Sequence, residues 1–141
     1  MLLERKWGRL LMITMVVELF ATGLAAESLS SENNGWLSRS GQLRLTYESE
    51  MKPIKINRIH SWLVYLETID GQPLSGAEIT MQGGMPEHNH GLPTKPQLTG
   101  SPRSGEYLIE GIRFHMRGHW ELEFNIINGD DVDTVEFSLE L

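Results

Sequence analysis

Apolar and polar residues alternate one by one through several stretches of the chain after residue 42, a pattern that suits half-buried β-strands. It is clearest near the C-terminus. Trp120, Leu122, Phe124 and Ile126 share one phase, and Glu121, Glu123 and Asn125 the other. Val135, Phe137, Leu139 and Leu141 repeat it against Glu136, Ser138 and Glu140. Asn128-Gly129-Asp130 between the two runs tolerates positive φ, so they predict a hairpin. Further strands are expected at 43–47, at 59–68 (closed by Asp70-Gly71), at 77–81 and at 107–114. No segment after residue 26 carries a sustained 3.6-residue apolar stripe with caps. Six to seven short strands in about 100 residues, punctuated by Gly and Pro, predict an all-β chain folded as an immunoglobulin-like β-sandwich.

The segment before this body has a different character. Residues 1–26 open with Arg5, Lys6 and Arg9, continue through an apolar run from Leu10 to Val17, and end on small residues at Ala25 and Ala26. That order predicts a signal peptide, or an uncleaved anchor over residues 7–26. Glu18 weighs against the anchor, because a central carboxylate costs about 2.5–3.5 kcal/mol on insertion. Either form exports the remainder. Residues 27–41 are polar and rich in Ser, Asn and Gly, and are expected to be a flexible leader before a domain spanning 42–141.

Charge and cysteine content narrow the function classes. Beyond residue 26 the chain holds 9 basic and 17 acidic residues, a balance of −8. An acidic domain without a basic stripe argues against nucleic acid as a partner. The 141 residues contain no cysteine, which excludes disulfides, thiolate metal sites and Cys nucleophiles. Export without cysteine points to a bacterial periplasm.

Two stretches exceed what strands and turns need. Met85-Pro86-Glu87-His88-Asn89-His90-Gly91 follows two glycines. Its imidazoles and thioether are the donor types that copper favours, and His88 and His90 share one side of an extended segment. The second stretch is Phe114-His115-Met116-Arg117-Gly118-His119-Trp120. Strict alternation would put Phe114, Met116, Gly118 and Trp120 on one face and His115 and His119 on the other, outward one. Trp62 and Trp120 are expected to be the central packing pair, with Met81 in the core. His60 opens the strand that carries Trp62. The acidic run Asp130-Asp131-Val132-Asp133 lacks the spacing and terminal Glu of a calcium loop and reads as a turn.

Together these stretches resemble the YtkA-like domain family. The resemblance rests on the MPEHNHG segment, on Gly105-Glu106-Tyr107, on Phe114, Met116, Gly118 and Trp120, and on Gly71-Gln72-Pro73-Leu74-Ser75-Gly76-Ala77. It runs from about residue 59 to 139. Such domains are small exported β-sandwiches, distantly similar to CopC-like and FixH-like proteins, and the resemblance implies a role in periplasmic copper or other metal handling. Carried over by position, the implied ligands are Met85, His88, His90 and Met116. Met116 has a competing reading as a core thioether beside Trp120. His115 and His119 are not part of that motif.

The leading expectation is therefore a non-enzymatic copper-binding module. The alternative is a metal-independent interaction module docking a periplasmic or membrane protein, such as a respiratory-complex partner. An enzyme is disfavoured, because no nucleophile motif surrounds Ser61, Ser75, Ser101 or Ser104. The sequence leaves the oligomeric state open.

Overall fold

The computed structural model describes residues 35–141. The signal peptide or anchor expected over residues 1–26 lies outside the described residues. Among them no helix is long and apolar enough to cross a membrane.

Nine strands follow one another: β1 (Trp36–Leu37), β2 (Leu43–Ser49), β3 (His60–Thr68), β4 (Glu78–Met85), β5 (His90–Gly91), β6 (Gln97–Gly100), β7 (Glu106–Ile112), β8 (His119–Asn128) and β9 (Asp131–Glu140). They form two antiparallel sheets, ordered β1-β2-β3-β7-β6 and β5-β4-β8-β9. The all-β sandwich expected from the alternation is the fold observed. Seven of its strands have four residues or more, and the other two are two-residue edge pieces.

Alternation does what it promised in the longest strands. Along β8, Trp120, Leu122, Phe124 and Ile126 are buried, and Val135 and Phe137 face them from β9. In β3, Trp62, Val64 and Leu66 point the same way from the other sheet. The two tryptophans do not form the central pair directly. Phe114 lies between them, with ring centroids 6.1 Å from Trp62 and 5.1 Å from Trp120. The β8–β9 hairpin closes through a two-residue turn, because Asn128 pairs with Asp131.

Two segments depart from the sequence reading. Residues 36–40, expected within a flexible leader, pack on the sandwich. Trp36 stacks on Phe137 at 3.9 Å, the Arg39 amide donates to the Thr134 carbonyl at 2.7 Å, and Ser40 donates to Asp133. A polar composition signals disorder only where nothing apolar anchors it, and Trp36 is that anchor. The second departure is at 113–118. Here β7 ends at Ile112, and the chain runs as a loop to His119 instead of continuing the strand.

The strand ends sort the loops. The turns at 50–59, 86–96 and 113–118 all lie at one end of the sandwich, where β2, β4 and β7 finish and β3 and β8 begin. The opposite end carries the turns at 69–77, 101–105 and 129–130. There the Tyr107 hydroxyl donates to the Leu74 carbonyl at 2.7 Å and accepts the Ala77 amide at 3.1 Å, tying the β3–β4 connection to β7.

Candidate metal centre

The histidine loop begins where β4 runs out of side chains. Gly84 carries none, and a Cβ there would lie 3.1 Å from the His90 carbonyl oxygen, so glycine lets β5 close onto β4. Pro86 fixes the first position of a single 3₁₀ turn over Pro86–His88, and Asn89 leaves it in the left-handed region at φ 51°. The turn throws His88 into solvent and brings His90 back as the cross-strand partner of Met85. Directly paired residues project to the same face of a sheet. Met85, only 2% exposed, thus shares the inner side of the sheet with half-buried His90.

The histidine that meets them comes from the other loop. His115 packs against His90 with ring centroids 4.6 Å apart, and His88 stacks on His90 at 5.7 Å. Trp120 backs the group, 6.3 Å from His90 and 5.5 Å from His115. The Nδ1 atoms of His90 and His115 are buried and have no hydrogen-bond partner. Desolvation, with contributions from His90 and Arg113, lowers the His115 pKa below its ordinary 6.5 and favours its neutral, ligating form. Among the described residues no three His, Asp or Glu side chains converge on one point as they stand.

Of the four ligands implied by the sequence, the fold stacks His88 on His90 and pairs His90 across the strands with Met85, whose side chain belongs to the core. Met116 lies beyond His115, at 36% exposure, lining a groove with Ile54 and Ile56. It is not the core thioether that alternation would make it. Its carbonyl, not its side chain, turns toward Trp120 and accepts the indole N–H at 3.2 Å. The phase breaks because β7 ends at Ile112 and residues 113–118 run as a loop, closed by Gly118 at φ 125° with reciprocal hydrogen bonds to Leu141 at 2.9 and 3.1 Å. The same break turns His115 inward, which the sequence reading placed on the outer face. Arg117-Gly118 was the available signal for it, a charge and a glycine inside an assumed strand.

The remaining histidines do other work. His60 is buried beside Trp62 and Phe114, with Nδ1 donating to the Arg58 carbonyl at 3.2 Å. His119 points outward and pairs with Glu140, which raises its pKa above 6.5.

The sequence from residue 40 to 125 matches the model of the YtkA-like family. The chain belongs to that family. The match reaches back to β2, which the motifs from residue 59 onward had left out, and it ends within β8. No curated protein matches the sequence. Among solved structures, a DUF4426 family protein of Pseudomonas aeruginosa PAO1 is similar at 15% identity and a TM-score of 0.52, covering 72% of this chain and 91% of that one. This likeness is one of fold. The ZirS C-terminal domain covers 99% of this chain and 86% of its own at 12% identity, with a TM-score of 0.42.

Proposed function

We propose that this YtkA-like protein is an exported, non-enzymatic metal-binding module that carries copper through His88, His90 and Met85, with Met116 at the rim and His115 as an added donor. The observation that carries the reading is the contiguous set of three imidazoles, two of which keep a buried Nδ1 with no protein partner. An unpartnered buried nitrogen costs free energy unless a ligand uses it. Neutral imidazoles and a thioether form a donor set suited to Cu(I), whereas Cu(II) prefers the nitrogens alone. Because the donors stand close without converging, loading requires the exposed His88 to swing toward His90 and His115. Ligand exchange at such a loop needs no covalent or acid–base step.

The test is a Cu(I) competition titration against a chromophoric chelator. Wild-type protein is expected to bind one ion tightly, the His88→Ala/His90→Ala variant to lose that binding with its fold intact, and His115→Ala to weaken it. Stoichiometric binding by the double variant would refute the loop as the site. Absence of tight binding by the wild type would leave the same loop as a docking surface for a protein partner.

A further inference from the structure

The basic residues are not spread over this acidic protein. Of the nine beyond residue 26, Lys52, Lys55, Arg58, Lys95, Arg113 and Arg117 all lie in the three loops at the histidine end. The other three are each ion-paired within the sandwich: Arg39 with Glu136 at 2.7 Å, Arg44 with Glu67 at 3.1 Å, and Arg103 with Glu106 at 3.1 Å. None of the six is within ion-pair distance of a carboxylate among the described residues, although acidic residues outnumber basic ones. Glu50 and Glu87 are the only carboxylates within those loops, while Glu48 and Glu140 on the adjoining strand ends line a second pocket with Lys52 and Arg117. A chain with spare carboxylates that leaves one end cationic presents that end to an external anion.

The same end holds a groove of about 760 Å³ with both polar and apolar walls. Ile54, Ile56 and Met116 line it, with Lys55 and Arg117 at its edge, and His115 contributes to its wall while packing against His90. Two half-buried isoleucines form a concave floor rather than a protruding wedge. Side chains from a polypeptide can enter such a groove, whereas a bilayer surface cannot follow it. We infer that the histidine end docks an acidic protein segment carrying apolar side chains, belonging to the protein that gives or takes the metal. The inference rests on the metal reading only for what passes between the two. Seating in the groove touches the ring that packs on His90, so docking and ligand exchange share His115.

Fluorescence anisotropy on the full chain tests this with a labelled peptide alternating Glu with Leu, one alternating Glu with Ser, and vesicles of phosphatidylglycerol and phosphatidylcholine. The Glu–Leu peptide is expected to bind, with affinity falling as salt rises. The Glu–Ser peptide should bind at least about tenfold more weakly, equivalent to about 1.4 kcal/mol. Lys55→Glu/Arg117→Glu should lose at least about tenfold in Glu–Leu affinity, while Arg39→Glu at the opposite end changes nothing. Failure of wild type to bind the peptide, equal binding by the reversed variant, or vesicle binding that replaces peptide binding would each overturn the inference. The Cu(I) titration of the reversed variant should match wild type. A flat titration in both proteins would sink the metal reading alone and leave the docking result standing.

Discussion

Replacing Gly118 with alanine isolates the device that sets the histidine end. At φ 125° an L-residue is strained, and the two hydrogen bonds to Leu141 prevent the backbone from relaxing. Backbone strain of this kind costs about 1–3 kcal/mol. The new Cβ would also lie 3.0 Å from the Met85 terminal methyl, the flexible end of a side chain that must yield by a few tenths of an ångström. Urea denaturation followed by tryptophan emission should show a lower midpoint at unchanged slope, and Tm should fall by about 4–20 °C. Gly100→Ala, where a Cβ meets nothing within 4 Å and φ is ordinary, should be neutral or stabilise by up to about 1 kcal/mol. The decisive measurement is the double variant Gly118→Ala/Met85→Ala. Removing the methyl that the new Cβ crowds should make the two losses sub-additive by at least about 0.5 kcal/mol. Additive losses, or a Gly118→Ala cost no larger than that of Gly100→Ala, would refute the steric argument.

Three further outcomes follow from the same geometry. Tyr107→Phe should cost about 1–3 kcal/mol in chemical denaturation, since it strips a donor from the Leu74 carbonyl and leaves the buried Ala77 amide without its acceptor. Met116→Ala should change stability by less than about 1 kcal/mol, because its side chain is exposed at the groove; a loss of roughly 2–5 kcal/mol, as a core methionine gives, would return it to the interior. His119 should titrate above 6.5 by NMR, held up by its hydrogen bond to Glu140, and Glu140→Gln should bring it down. Its folded pKa is the raised one, so the pair's stabilisation is present below pH 6.5 and is lost as pH rises through the folded value. An unshifted titration would remove the pairing.

What the sequence disclosed depended on how local the cause was. The β8–β9 hairpin was legible because alternation and turn chemistry act over neighbouring residues, and both pointed to the same register. The MPEHNHG turn was legible for the same reason. His115 and Met116 were not. Their orientation follows from the loop at 113–118, which is closed at Gly118 by hydrogen bonds to a residue 23 positions along the chain, and alternation carried through that loop inverts both side chains. Trp36 illustrates a second limit. Its stacking on Phe137 is a contact across about 100 residues of sequence, invisible to a window dominated by serines, asparagines and glycines. The two-residue strand at His90–Gly91 is set by Gly84 opposite it, another cross-strand cause.

The indole of Trp120 has a consequence for observation. It is fully buried, and the rings of His90 and His115 lie within 6.3 Å of its own. A paramagnetic Cu(II) ion held by those histidines, as proposed, would quench its emission through short-range energy and electron transfer. Trp62 lies on the far side of Phe114 and would dim far less. Occupancy of the proposed site would therefore be readable in the protein's own tryptophan emission.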